Sequence, residues 1–245
     1  MRSLLNYLLL SLLLSLLAAC HSYSPQLSWQ QEMQQKIAKY EPKAERRLKP
    51  YFIKAGVNYP PQEMALLVFK NTKQMEIWAK NTVDSPWVYI RTFPVLAASG
   101  GPGPKLHEGD YQVPEGIYRI VGMNPVSHYD LSLQLNYPNQ FDLSKAQADG
   151  RTELGGNIFI HGDKLSAGCI ALGNKTIEQL FPLIFFVDSL NIIVVIAPND
   201  LRQGPPLLAA KVHPVWLPEL YQQLNQELAQ FTPAPGAINV PHSQL

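Results

Sequence analysis

The sequence predicts a mainly β domain with added α-helices, and three observations support this fold class. Short runs rich in β-branched and aromatic residues recur through the middle of the chain. The 21 prolines and 11 tyrosines favour an irregular β-containing domain over a helix bundle. Helix-like segments lie before and after the strand-rich part. With 245 residues, 46% of them hydrophobic, the chain suffices for one globular domain with some length left over.

The first twenty residues have the features of a secretory signal. Arg2 gives a positive start, and the apolar run over residues 4–17 is too short for a comfortable membrane span. The ending LAAC resembles the lipobox of bacterial lipoproteins, in which the cysteine, here Cys20, is lipidated and becomes the mature N-terminus. His21, where an aspartate would retain the protein at the inner membrane, implies a periplasmic protein anchored to the outer membrane. An ordinary cleaved signal over residues 1–19 with an incidental cysteine is the alternative.

Residues 20–60 are predicted to form a short tether and a helical segment. In SWQQEMQQKIAKYEPKAERRLKPYFIKA, apolar residues recur at three- and four-residue steps, as on one face of a helix. Pro42 is expected to break this stretch into two helices and Pro50 to kink the second, which should end near Gly56.

The strand-rich core is placed at residues 61–200. MALLVFK and MEIWAK are predicted to form a hairpin through the polar tip NTKQ. Further strands are expected in WVYIRTFPV, IYRIVG, DLSLQLNY, NIFIH and NIIVVIAP, with Trp78 and Trp87 packed among them. FDLSKAQADGRTELGG is expected to be a turn-rich surface excursion, and Asn174 to cap a helix over KTIEQLFPLIFF. Residues 201–245 contain a connector, a predicted amphipathic helix in PVWLPELYQQLNQELAQF and a Pro-containing tail.

Charge and cysteine content narrow the function. A net charge of +1 without a basic stripe argues against nucleic acid as a partner. No metal-ligand cluster is visible in the sequence, and no cofactor is expected. The chain has two cysteines, and if Cys20 carries lipid, Cys169 has no disulfide partner within the chain. A lone thiol in an oxidising compartment is a liability. The count alone leaves two interpretations open, a reactive cysteine or a buried inert one.

The stretch HGDKLSAGCIALGN carries the candidate chemistry. A cysteine nucleophile needs a thiolate, but its unperturbed pKa is about 8.5, whereas histidine at about 6.5 is a suitable base and later acid. His161 ends a predicted strand, and the short loop after it is expected to bring Cys169 back beside it. Gly168 allows a sharp turn that leaves amides free to face an oxyanion, and Ser166 offers a further hydroxyl. By itself this spacing is a weak signal.

Additional motifs make the assignment specific. NIFIHGDKLSAGCIALGN resembles the signature of the L,D-transpeptidase (YkuD-type) catalytic domain family, bacterial enzymes that remodel peptidoglycan. In that family a strand ends in Ile-His-Gly, and a later Ser-x-Gly-Cys carries the nucleophile. GPGPKLHEGDYQVPEGIY resembles the family's upstream segment, and YPNQFD with the short His-to-Cys loop resembles its YafK-like branch. The resemblance covers about residues 64–197 and implies a mixed, β-sandwich or barrel-like catalytic fold.

The resemblance implies acyl transfer by covalent catalysis. Cys169 would attack the L-centre carbonyl of meso-diaminopimelate in a peptidoglycan stem peptide, with His161 as base and then acid. An amine acceptor would give an L,D cross-link. Water would make the enzyme an L,D-amidase that trims stems or releases a wall-attached lipoprotein, as is thought for some members of the YafK-like branch. An inactive peptidoglycan-binding lipoprotein is the alternative of a different class.

Two positions depart from the family pattern. Ala167 stands where most members have a second histidine, which leaves His161 as the only local histidine available as base. Ala171 stands where most members have an arginine, which would be expected to shape the site or meet a substrate carboxylate. The YafK-like branch shows similar losses, so they do not imply inactivation.

Supporting residues follow from the same motifs. Asp110 and Glu115 are expected to fix turns by accepting hydrogen bonds from backbone amides. Gly162 and Asn174 are expected to support the catalytic loop. The residues expected to contact the substrate are Lys105, which would meet a carboxylate, and Tyr129 and Asn139, which would line the cleft.

Overall fold

The computed structural model describes residues 27–208 and 213–232. The predicted signal peptide, Cys20 and the end of the C-terminal tail lie outside these residues. No helix in the described part of the chain combines the length and the apolar character needed to cross a membrane.

The N-terminal segment forms one long helix, α1 (Trp29–Lys54), with a capping box at Ser28. Both Pro42 and Pro50 lie inside it, so the predicted break at Pro42 was wrong. A proline removes one backbone hydrogen bond, but the buried stripe on both sides of it stabilises the helix as a whole. This stripe consists of Met33, Ile37, Tyr40, Ala44, Leu48 and Phe52. The predicted end near Gly56 is confirmed.

Within the described residues, nine strands form one mixed sheet. They are β1 (Glu63–Phe69), β2 (Gln74–Lys80), β3 (Val88–Pro94), β4 (Ala97–Ala98), β5 (Gly116–Ser127), β6 (Asp130–Leu135), β7 (Phe159–His161), β8 (Ile170–Ala171) and β9 (Ile192–Ala197). Their order in the sheet is β3-β2-β1-β9-β5-β6-β7-β8-β4. Neighbours are antiparallel, except for the parallel pairs β1–β9 and β7–β8. The predicted β1–β2 hairpin and the mainly β fold with flanking helices are confirmed.

The part of the chain that the structure describes has three further α-helices: α2 (Gln140–Ala148), α3 (Asn174–Val187) and α4 (Leu217–Leu228). Helix α2 replaces the first half of the predicted turn-rich excursion. It lacked an apolar pattern because Ala146 is its only buried residue. Helix α3 is confirmed, but Gly173 occupies its N-cap and no side chain caps it, so Asn174 does not have the predicted role at the helix start.

The central strands bury side chains on both faces of the sheet. Alternate residues of β1 belong to two hydrophobic clusters, because successive side chains of a strand point to opposite faces. Helices α1 and α3 contribute to one cluster and α4 to the other. Trp78 is buried in the α4 cluster and Trp87 packs against it, as predicted. The candidate catalytic residues lie on β7 and beside β8, toward one end of the sheet.

Candidate active site

The candidate catalytic pair lies where β7 and β8 run parallel. His161 pairs with Ala171, so the register places Cys169, which directly precedes β8, beside Phe159. Side chains two residues apart on a strand share a face, and paired residues of neighbouring strands do as well. Extending this register by one residue beyond β8 places Cys169 and His161 on the same face of adjacent chain segments, two residues apart along the strand direction.

The imidazole of His161 is enclosed and fixed in orientation. It is 1% exposed, and its Nδ1 lies 2.5 Å from the carbonyl oxygen of Gly162. Since a carbonyl only accepts, Nδ1 carries the proton and Nε2 keeps its lone pair. Burial lowers the pKa of His161, although the Gly162 hydrogen bond and the charge of Asp163 oppose this effect. At neutral pH the residue is consequently an uncharged base.

Cys169 is half-buried and does not hydrogen-bond to His161 within the described residues. Its Sγ lies 3.8 Å from the carbonyl oxygen of Asn157, to which it donates. Burial raises the pKa of the Cys169 thiol, while the backbone amide of Phe159 and the charge of Lys105 oppose this effect. At neutral pH Cys169 is therefore a neutral thiol rather than a thiolate.

Two serines brace the cysteine loop. The Ser99 hydroxyl oxygen accepts from the Gly168 amide at 2.5 Å. Ser166 Oγ accepts from the Ser99 amide at 2.9 Å and donates to the Cys169 carbonyl at 2.7 Å. The Gly168 amide is therefore engaged, which differs from its predicted place facing an oxyanion. Ser99 was missed in the sequence because a serine in a glycine- and proline-rich loop gives no local sign of a partner 67 residues away.

Gly162, which follows His161, lies in close contact with its neighbours. A Cβ at this position would lie 2.4 Å from the Tyr129 carbonyl oxygen and 2.9 Å from Asn174 Oδ1, so only glycine fits. Asn174 Oδ1 also accepts from the Asp163 amide at 2.6 Å. Asn174 therefore holds the loop that follows His161, which matches its expected support of the loop.

Asp110 organises the turn at the middle of the loop between β4 and β5. Its carboxylate accepts from the amides of Leu106 and His107, and Lys105 Nζ lies 2.6 Å from its Oδ1. Burial opposes ionisation, but these hydrogen bonds prevail and lower the pKa of Asp110. The turn-fixing role predicted for Asp110 is confirmed.

Glu115 anchors the end of the same loop. Its carboxylate accepts from the Gly103 amide at 2.7 Å and from the Tyr221 hydroxyl at 2.9 Å. Lys70 Nζ lies 3.1 Å away, and both side chains of this ion pair are almost completely buried. Glu115 thus joins the loop to the end of β1 and to α4. Neither Lys70 nor Tyr221 was predicted from the sequence to have this role.

The family model of the L,D-transpeptidase catalytic domain (YkuD) matches residues 63–192, from the start of β1 to the start of β9. The chain belongs to this family. Over 119 residues it is 29% identical to the Escherichia coli K12 protein named "Putative L,D-transpeptidase YafK" and to its counterpart in strain O157:H7. The alignment covers 48% of this chain and 45% of either relative, so the chain matches less than half the length of these curated proteins.

Solved structures show similarity at lower identity. The helical cell shape determining protein Pgp2 from Campylobacter jejuni is 23% identical, with a TM-score of 0.45 over 62% of this chain and 55% of that chain. Bd1075 of Bdellovibrio bacteriovorus is 19% identical, with a TM-score of 0.42 over 71% and 57%. L,D-transpeptidase 1 of Mycobacterium tuberculosis is 10% identical, with a TM-score of 0.31 over 55% and 61%.

The two residues that depart from the L,D-transpeptidase pattern differ in their exposure to solvent. Ala167 is exposed in the loop before Cys169. Ala171 is fully buried in β8, where it pairs with His161 on one side and Ala97 on the other. An arginine side chain at this position would have to displace packed neighbours. The local structure therefore fits the smaller alanine.

Two predicted substrate residues of this L,D-transpeptidase family member have other partners. Asn139 caps α2 by accepting from the Asp142 amide, and its Nδ2 donates to the Ile117 carbonyl. This differs from its predicted place in the substrate cleft, because both polar groups of the side chain are already used. Lys105 is buried in its ion pair with Asp110 and also donates to the His107 carbonyl, and its contact with a substrate carboxylate stays a prediction.

Proposed function

We propose that this L,D-transpeptidase family member is a cysteine acyltransferase that remodels peptidoglycan stem peptides, with Cys169 as nucleophile and His161 as base. The register of β7 and β8 carries the proposal, because it brings the thiol and the buried imidazole to the same face of adjacent chain segments. The enclosed, uncharged imidazole with a free Nε2 is the second support.

A neutral thiol beside a neutral imidazole fits general-base catalysis. The Cys169 side chain first turns from Asn157 toward His161, as is common when a substrate completes a site that is loose without it. His161 Nε2 then takes the thiol proton while Sγ attacks the L-centre carbonyl carbon of meso-diaminopimelate. The C–N bond to D-alanine breaks, His161 returns the proton to the departing amine, and a thioester remains on Cys169.

The second half of the reaction consumes the thioester. An amine of another stem attacks the thioester carbonyl, the C–S bond breaks, and the proton released by the amine returns to the thiol through His161. Because the Gly168 amide donates to Ser99, the proposal assigns the oxyanion to the amide of Cys169 itself. Water in place of the amine would give a hydrolase by the same steps.

Muropeptide analysis tests the proposal. Purified protein is incubated with tetrapeptide muropeptides and with cell wall that carries attached lipoprotein. New L,D-linked dimers would establish transpeptidation, whereas shortened stems or released lipoprotein would identify water as the acceptor. Cys169→Ala should form none of these products, and Cys169→Ser provides a matched control of similar size. Identical products from wild type and Cys169→Ala would contradict the mechanism, and wall binding without any product would indicate the inactive binding protein.

We also propose that the mature protein begins at a lipid-modified Cys20 and faces the periplasm from the outer membrane. The sequence LAAC, which resembles a lipobox, carries this proposal. Membrane fractionation and the intact mass of the mature protein test it. Wild type should be found in the outer-membrane fraction with the added mass of lipid, and Cys20→Ala should lose both properties. A wild-type protein without lipid mass would refute the anchor.

A further inference from the structure

We propose that Tyr129 is a positioning residue for His161: the face of its ring fixes the imidazole and stabilises the imidazolium that forms when Cys169 loses its proton. The inference rests on the proposed role of His161 as base. It concerns Tyr129 as a partner of the histidine, in addition to any contact with substrate.

The rings of Tyr129 and His161 lie against each other in a tilted arrangement. Their centroids lie 4.6 Å apart, and their planes are inclined by 35°. His161 is 1% exposed, whereas Tyr129 is 45% exposed. The tyrosine ring therefore covers the imidazole on one side and meets solvent with the remainder of its surface. Together with the hydrogen bond from Nδ1 to the Gly162 carbonyl, the stack fixes the plane of the imidazole.

The backbone of the β5–β6 hairpin sets the ring in this place. Ser127 pairs with Asp130 across the tip, and the Tyr129 amide donates to Ser127 Oγ at 3.1 Å. The Tyr129 carbonyl lies against Gly162, where no Cβ would fit. Further along the same hairpin, Ser132 pairs directly with His161. The Tyr129 carbonyl is thus placed against the segment that follows the histidine, and the Tyr129 amide is fixed within the hairpin.

The imidazolium needs such a partner because it forms in a buried place. In many histidine bases a carboxylate accepts from the second ring nitrogen, but here a neutral carbonyl does so. The titratable groups around His161 are Asp163 on its own loop, Cys169 before β8, and Tyr129 and Asp130 on the hairpin. The negative face of an aromatic ring attracts a cation, and this attraction grows when the cation is shielded from water.

The Asp130 carboxylate is partly buried, and its Oδ2 has no hydrogen-bond partner among the described residues. Burial is the main cause that raises the pKa of Asp130, with a smaller contribution from Glu178, whereas Lys36 and Lys39 of α1 lower it. The positive charges that act on Asp130 therefore lie on α1. Asp163, by contrast, is the carboxylate whose charge raises the pKa of His161.

Two substitutions separate the aromatic face from simple cover. Tyr129→Phe keeps the ring and removes the hydroxyl, whereas Tyr129→Leu keeps an apolar cover and removes the π face. The pKa of His161 is measured by NMR titration in a Cys169→Ala background, which requires no turnover. In Tyr129→Phe the pKa of His161 should equal that of the protein with Tyr129. In Tyr129→Leu the pKa of His161 should be about 0.5 to 1.5 units lower, from the usual strength of a cation–π contact.

Turnover supplies the second readout. Tyr129→Phe should retain more of the wild-type kcat than Tyr129→Leu, which should lower kcat roughly 2- to 30-fold. Tyr129→Met replaces the leucine variant if that protein does not fold, as judged by circular dichroism.

The outcomes decide the inference independently of the proposed reaction. Equal histidine titrations in Tyr129→Phe and Tyr129→Leu would overturn it, because the ring would then act only as cover. A pKa that falls as much in Tyr129→Phe would also overturn it, since the hydroxyl would be responsible. If the titration shift is present but the wild type forms no muropeptide products, the proposed function fails while the ring contact stands.

Discussion

The two candidate catalytic side chains are held in different ways. His161 ends a sheet strand, is 1% exposed, and is fixed by the Gly162 carbonyl and a stacked ring. Cys169 lies in a loop that Ser99 and Ser166 brace by side-chain hydrogen bonds from a distant part of the chain. The sheet thus positions the candidate base, and loop contacts position the candidate nucleophile. The two should respond to different mutations.

The largest expected effect comes from removing the sheet-held base. His161→Ala should lower the rate of muropeptide turnover roughly 100- to 10,000-fold, the usual contribution of a general base. Folding should be tested in parallel by thermal unfolding, because the imidazole is buried. A folded variant that keeps more than a tenth of the wild-type rate would show that another residue acts as base.

The pH dependence of alkylation should show that the resting protein holds no thiolate–imidazolium pair. Burial raises the pKa of Cys169, and the low pKa of His161 leaves no imidazolium to stabilise a thiolate at neutral pH. The rate of alkylation by iodoacetamide should therefore rise about tenfold per pH unit from pH 7 into the alkaline range. The His161→Ala variant should show the same slope. A plateau that begins below pH 7 would instead indicate a preformed thiolate–imidazolium pair.

A smaller effect is expected from the loop brace. Ser99→Ala removes the acceptor of the Gly168 amide and should reduce stability by about 1 to 3 kcal/mol. Misplacement of Cys169 should lower its turnover about tenfold, without a change in the pKa of His161. Ser144→Ala is the matched control, because that hydroxyl donates to the Phe141 carbonyl on α2. Equal kinetic losses in both serine variants would show that the Ser99 contact has no special role.

The smallest effect on the chemistry is expected at Glu115, which anchors the end of the loop between β4 and β5. Glu115→Gln leaves the buried ammonium of Lys70 without its charge partner and should lower the free energy of unfolding by about 3 to 5 kcal/mol. The alkylation rate of Cys169 in the folded variant should stay within about twofold. Glu45→Gln breaks an exposed pair with Lys49 and should cost about 0 to 1 kcal/mol. A tenfold change in alkylation would show that the loop responds as one body.

The sequence predicted those elements whose buried face gives a periodic pattern of apolar residues. The apolar strands, the β1–β2 hairpin and the C-terminal helix were all visible in this way. Pro42 was misleading because packing of α1 outweighs one lost hydrogen bond. Helix α2 was invisible because a helix with one buried residue has no apolar stripe to reveal it.

The candidate site divides along the same line. His161 and Cys169 lie within one short motif, and a resemblance to a family sufficed to single them out. Ser99 and the cluster of Lys70, Glu115 and Tyr221 arise from contacts between segments far apart in the chain. Such pairs have no shared local sequence pattern, so only the folded structure brings them together.

The boundary of the family match and the boundary of the folded core differ at β9. This strand pairs with both β1 and β5 at the centre of the sheet, yet the family match stops at its first residue. Helix α1 on one face and helix α4 on the other also lie outside the matched segment, whereas α3 lies within it. A graft of residues 63–192 into a relative would therefore carry the histidine, the cysteine and α3 but depend on its host for a central strand, for the helix that packs with α3 and for the layer on the other face. The matched segment is smaller than the folded unit whose core it helps to form.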